Sequence, residues 1–174
     1  MGSKRTSVLM MGAVGLLAAV VPVGPVGAAS GTTCRFEVDL LITPGLTTSP
    51  SSGTFTTQGE KGRMDCDGPV NGQRPTGPGT IGADGRYGTQ KAFSCKDDGN
   101  GEGVMSITMP RAGGSEHVTT NITYVHGALQ DGRLLAGSFK SERYSGTFEA
   151  RPIEGDCVSS PITRFRLTGQ GTMT

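Results

Sequence analysis

Along most of this chain apolar and polar residues alternate one by one, the period of a β-strand with one buried face. Phe36, Val38 and Leu40 alternate with Arg35, Glu37 and Asp39. Met105, Ile107 and Met109 alternate with Ser106 and Thr108, and Val118, Thr120, Ile122 and Tyr124 with Thr119, Asn121 and Thr123. The same period runs through Tyr144, Gly146, Phe148 and Ala150, and again through Phe165 and Leu167. Three strands are therefore predicted at the end of the chain, over Leu134–Lys140, Arg143–Ile153 and Ile162–Met173. Turn signals separate the runs: Thr43-Pro44-Gly45, Asp67-Gly68-Pro69, Asn71-Gly72, Asp84-Gly85, Asp98-Gly99-Asn100-Gly101, Gly113-Gly114, Asp131-Gly132 and Glu154-Gly155-Asp156. Asn-Gly and Asp-Gly suit tight hairpins because both central residues accept positive φ.

No heptad, internal repeat or amphipathic helix interrupts the pattern. The expected fold is all-β, an antiparallel meander closing into a small β-barrel; a β-sandwich satisfies the same pattern. Two stretches are less regular. Pro69–Gly88, rich in Gly and Pro, is expected to be a loop with a short strand or two. Thr47–Thr57, rich in Ser and Thr, is expected to be a mobile loop leading into an edge strand.

The first residues break from the alternation altogether. Lys4 and Arg5 precede a continuous apolar run from Val8 to Val21, which Pro22 and Pro25 end. Val26-Gly27-Ala28-Ala29-Ser30 then offers the small residues that a signal peptidase accepts. Residues 1–29 are predicted to be a secretory signal peptide cleaved after Ala28 or Ala29, leaving 30–174 as a single β domain. The run is shorter than the roughly 20 residues of a spanning helix, and no later segment is long and apolar enough, so no stable membrane insertion is expected after cleavage. Cys34 follows Gly31-Thr32-Thr33, which is not the context of a lipid-bearing cysteine. The expected location is secreted, extracellular or in the cell envelope.

Export changes the meaning of the cysteines. Cys34, Cys66, Cys95 and Cys157 make an even set in an exported chain, which predicts two disulfides in one of three pairings that sequence does not choose between. Their spacings are too wide for a local zinc motif. Export also changes the charge, because the formal +1 of the whole chain becomes −1 once Lys4 and Arg5 are removed. A near-neutral surface with scattered arginines argues against a nucleic-acid partner.

Candidate chemistry is sparse. Asp98-Gly99-Asn100-Gly101-Glu102-Gly103 resembles the start of a calcium loop, but the position that needs a bidentate Glu holds Met109, so the stretch is assigned to a hairpin connection. His117 and His126 fall on opposite faces of one strand, which disfavours a paired-histidine site, and no metal is expected. Glu37 with Asp39, and Asp97 with Asp98, are paired carboxylates at positions expected to be solvated. Neither a Gly-x-Ser-x-Gly elbow nor a Rossmann or phosphate-loop fingerprint is present, so no cofactor is expected. Asn121-Ile122-Thr123 matches a glycosylation sequon, relevant only in a pathway that glycosylates. The candidate ligand-binding residues are Tyr124, His126, Tyr144 and Phe148, which share inward parity on two strands, with Glu142 in the parity of Tyr144 and Phe148. A small barrel can hold one ligand between such side chains.

The stretch Gly137-Ser138-Phe139, Tyr144-Ser145-Gly146-Thr147-Phe148-Glu149-Ala150, Gly155-Asp156-Cys157-Val158, Pro161-Ile162-Thr163 and Gly169-Gln170-Gly171-Thr172, with Gly68-Pro69-Val70 and Gly77-Pro78-Gly79-Thr80, resembles a group of short exported actinobacterial proteins. That group has no assigned activity, so the resemblance implies export and origin and transfers no functional residue. A looser similarity, at the level of fold, is to allene-oxide-cyclase-like and lipocalin-like barrels, which include ligand carriers and natural-product cyclases. Three functions are therefore expected to compete. The first is an exported barrel binding a small, partly apolar ligand or an envelope component, with no catalytic signature. The second is a cofactor-independent cyclase or isomerase. The third is a secreted interaction module such as a protease inhibitor, presenting Thr47–Thr57 or Pro69–Gly88 to its partner.

Overall fold

The structure, a computed structural model, describes residues 31–173 other than Glu60 and Gly132. The expected signal peptide at 1–29 lies outside the described residues. The described chain is all-β, with no helix. Its strands are β1 (Thr32–Leu46), β2 (Gly53–Thr56), β3 (Gly62–Cys66), β4 (Gly79–Tyr87), β5 (Gly99–Arg111), β6 (Gly114–His126), β7 (Leu135–Lys140), β8 (Tyr144–Glu154) and β9 (Ile162–Met173). The alternation in sequence becomes an alternation in space. Phe36, Val38, Leu40 and Ile42 of β1 are buried and Glu37 is exposed. Ile107 and Met109 are buried to about the same degree as Tyr144 on the far wall.

All strands belong to one antiparallel sheet, and β1 pairs with β9 as well as with β2 and β3, so the pairings return to their start. The ring is not a clean barrel. The position between β1 and β4 is shared by two short strands: β2 bridges Leu41–Thr43 to Asp84–Tyr87, and β3 bridges Cys34–Glu37 to Gly79–Ile81. While β1 passes from Leu41 to Glu37, its partner passes from Thr56 to Arg63, and the surplus bulges out around Gln58 and Gly59, both at positive φ.

Three expectations need correction. The segment Thr47–Thr57 does not lead into an edge strand, because β2 is paired on both sides. Pro69–Gly88 is not mainly loop, because its second half is β4, a strand of nine residues. Asp98–Gly103 is not a hairpin connection, because β5 begins at Gly99 and pairs with both neighbours from Gly101 onward. Other local signals hold: Asn71 and Gly72 both take positive φ in a two-residue turn whose flanks, Val70 and Gln73, exchange backbone hydrogen bonds.

Glycines within the strands share one feature. Gly85, Gly99, Gly101, Gly137 and Gly169 all point inward, and each stands directly across from an aromatic ring: Phe55, His126, Tyr124, Phe148 and Phe36 respectively. A Cβ at Gly137 would run into Phe148 Cζ, and one at Gly169 into Phe36 Cζ. The rings lie across the strand where the glycine leaves room, the cross-strand covering of glycine that sheets use to recover lost packing.

One disulfide closes each end. Cys34–Cys66 joins directly opposed residues of β1 and β3, with Cα atoms 4.1 Å apart. Cys95–Cys157 ties the β4–β5 connection to the β8–β9 connection at the other end. Around Cys34 the interior is filled by Met64, Met109, Tyr144 and Met173, all buried.

The covering arrangement predicts that Gly137→Ala destabilises the fold by about 1–3 kcal/mol through overpacking. Gly77→Ala, where an added Cβ meets nothing within 4 Å, leaves stability unchanged. Denaturant midpoints of the two variants check this; equal midpoints contradict the packing account.

Candidate functional site

At the end of the ring where β1, β4, β6 and β8 finish, the β4–β5 connection crosses as a strap over residues 88–98. Gly88, at positive φ, turns the chain inward, and Ser52 Oγ donates to its carbonyl oxygen. Phe93 and Ser51 exchange backbone hydrogen bonds, the Cys95 amide donates to Thr47, and the Leu129 amide donates to Cys95. The Cys95–Cys157 disulfide adds a covalent tie. Asp97 finishes the strap by accepting from the Ser94 amide and hydroxyl, bonds that hold its carboxyl below the usual carboxylate range.

The strap's purpose in packing is to place Phe93, which is 2% exposed. Its ring meets Tyr87 at 5.4 Å and His126 at 4.6 Å between centroids, both edge to face. Beneath it lies a cavity of about 110 Å³, walled by Leu40, Ile42, Phe55, Ile81, Leu135 and Phe165 among other carbon side chains. An apolar cavity of roughly 150 Å³ is enough to stay dry and take benzene. This one, at about 110 Å³, is smaller and leaves room for no more than a single small ring or a short chain.

Three lining residues bring polar atoms: Tyr87, Tyr124 and His126. Tyr87 is occupied, its hydroxyl donating to the Pro44 carbonyl oxygen at 2.7 Å with Ser51 Oγ at 3.2 Å. His126 is 7% exposed, and its Nδ1 donates to the Gly127 carbonyl oxygen at 2.9 Å. A carbonyl only accepts, so that bond fixes the proton on Nδ1 and leaves Nε2 as an acceptor. Burial pushes the imidazole below its usual 6.5, against weaker pulls from the Gly127 bond and Asp98. Burial likewise pushes the Tyr124 phenol upward, which keeps its proton in place as a donor. Neither Tyr124 Oη nor His126 Nε2 has a hydrogen-bond partner among the described residues. The two rings are near-parallel with centroids 6.1 Å apart.

Of the candidate ligand residues, Tyr124, His126 and Phe148 are brought together on this cavity. Tyr144 is not. It lies 1% exposed at the opposite end against Phe139, with its hydroxyl 3.4 Å from the Cys34 carbonyl oxygen. Glu142 is exposed in the turn before β8, where parity with that strand no longer sets its direction. His117 is exposed and bonds Thr108 across the strand pair, facing opposite to His126. The Glu37 and Asp39 pair faces solvent beside Arg166, whose guanidinium holds Asp39 below the usual carboxylate range. Sequence reasoning missed Phe93, Phe55 and Tyr87. Phe93 lies in a stretch without alternation, and its one signal is its place two residues before a disulfide cysteine. Among the described residues no cluster of histidine, cysteine or acidic groups could hold a metal ion. No known protein family, curated protein or solved structure matches the chain.

His126 makes stability depend on pH. Its folded value lies below the ordinary 6.5, so between the two the unfolded chain binds the extra proton. The contribution is complete above 6.5 and is lost as pH falls toward the folded value. The denaturation midpoint is expected to drop as pH falls below 6.5, and His126→Phe to flatten that fall. Asp39, Asp97 and Asp156, all held below 3.8, act only at lower pH. A profile that is unchanged in His126→Phe contradicts the assignment.

The strap gives a second expectation. Replacing Cys95 and Cys157 together by serine removes a crosslink spanning 62 residues, worth about 4 kcal/mol in the loop-entropy account. Hydrogen exchange of amides at 88–98 should accelerate more than that of β8. Uniform acceleration would mean that the strap is no separate unit.

Proposed function

We propose that this chain is an exported binding protein for a small, largely apolar ligand, with its ring of strands acting as a small barrel around the site. The observation that carries the proposal is the 110 Å³ cavity walled by carbon and lidded by Phe93. Export is supported by the signal pattern at 1–29 and by two disulfides, which persist in oxidising compartments. At about 110 Å³ the cavity is smaller than ordinary ligand clefts of roughly 300–1,000 Å³, which favours one small ligand over the flexible reactive chain that a cyclase must order. The inhibitor alternative draws little support, because much of Thr47–Thr57 and Pro69–Gly88 is paired into the sheet.

Benzene or toluene should raise the melting temperature in a concentration-dependent way, by the linkage that governs any ligand selective for the native state. A long-chain fatty acid, too large for the cavity, should have no such effect. If no ring-sized compound binds the folded, disulfide-intact protein, the proposal fails.

A further inference from the structure

Resting on that reading, we infer that the cavity is built for a single-ring aromatic alcohol of the phenol class, whose hydroxyl donates to His126 Nε2 and accepts from Tyr124 Oη. The first argument is the unspent hydrogen-bonding capacity. Tyr87, on the same wall, has its hydroxyl committed to Pro44. Tyr124 Oη and His126 Nε2 are committed to nothing among the described residues, although His126 is 93% buried by its 7% exposure. Neither atom is sealed in packed protein, since the fully buried side-chain polar atom without a partner among the described residues is Thr163 Oγ1, so both stay open to an incoming hydroxyl.

The second argument is placement. Tyr124 and His126 are two residues apart on β6 and share its inward face. Each reaches across to β5, where Gly101 and Gly99 stand opposite. A Cβ at Gly101 would collide with Tyr124 Oη, and one at Gly99 would come within 2.5 Å of His126 Nε2. The two polar tips therefore sit over successive inward positions of β5 that carry no side chain, with no protein carbon set between them from that strand.

The third argument is chemical. One acceptor and one donor on the same inward face of β6 match a hydroxyl, which does both. A cationic amine would find no carboxylate on this wall, and a carboxylate would find no cation, because the lining residues carry no charged side chain. The volume admits one ring, and the aromatic wall of Phe55, Phe93 and Phe148 favours a flat one.

Calorimetric titration with phenol and with toluene tests this, on the wild type and on a Tyr124→Phe/His126→Phe double variant. Phenol is expected to bind the wild type at least about tenfold more tightly than toluene, as sites built around a hydroxyl discriminate against its absence. The double variant should keep toluene affinity, which shows it folded with its cavity intact, and lose the preference for phenol. If toluene binds the wild type as well as phenol does, the inference is overturned while the apolar-ligand reading stands. A preference for phenol that survives in the double variant also overturns it. If neither compound binds the wild type, both readings fall together.

Discussion

The structure depends on one repeated contact, an aromatic ring reaching over a glycine on the next strand. Phe36 over Gly169, Phe148 over Gly137, His126 over Gly99, Tyr124 over Gly101 and Phe55 over Gly85 recur around the ring. Each contact does two things. It gives the ring a surface at van der Waals range, and it makes the strand opposite intolerant of any larger residue. Glycine within a strand is ordinarily a weakness. Here it sets register, since sliding either strand by one residue would drive a ring into a neighbour's Cβ or leave a glycine bare.

The two ends of the interior are filled differently. Near Cys34 the space is closed by Met64, Met109 and Met173, unbranched side chains that fill irregular gaps. Toward the strap the wall is made of rings pinned to their glycines. Rings so held cannot slump inward, and the space they leave is the cavity beneath Phe93. The void belongs to the same geometry that fixes the fold, and its polar atoms arrive on the ring tips that overhang the glycines.

How much of this was legible in the sequence follows from where the information lies. Alternation within a strand is local, so β1, β5, β6 and the last three strands were readable. So was the opposition of His117 and His126, and the hairpin at Asn71-Gly72. The disulfide pairing was not, because Cys34 meets Cys66 only once β3 lies beside β1, and Cys95 meets Cys157 only across the mouth. Asp84-Gly85 and Asp98–Gly103 were misread because an outward acidic residue beside an inward glycine has the composition of a turn. What distinguishes them is a ring on another strand. The site was half legible for the same reason: strand parity found Tyr124, His126 and Phe148, whereas Phe93 comes from a connection with no period. Tyr144 has the right parity at the wrong height along β8, and parity carries no height.

A site buried beneath a strap raises the question of how anything reaches it. Strands β5 and β6 are joined along their full length and share no gap through which a ring could pass. The strap is held differently, by a few backbone bonds to Ser51, Thr47 and Leu129, by the packing of Phe93 and by one disulfide. Opening it breaks local contacts and leaves the ladder intact, the kind of sub-global opening that proteins make well below their global stability. The disulfide fixes Cys95, two residues from Phe93, to the β8–β9 connection. That covalent tie is of the kind that persists in an oxidising compartment, consistent with the export that the first residues of the chain predict.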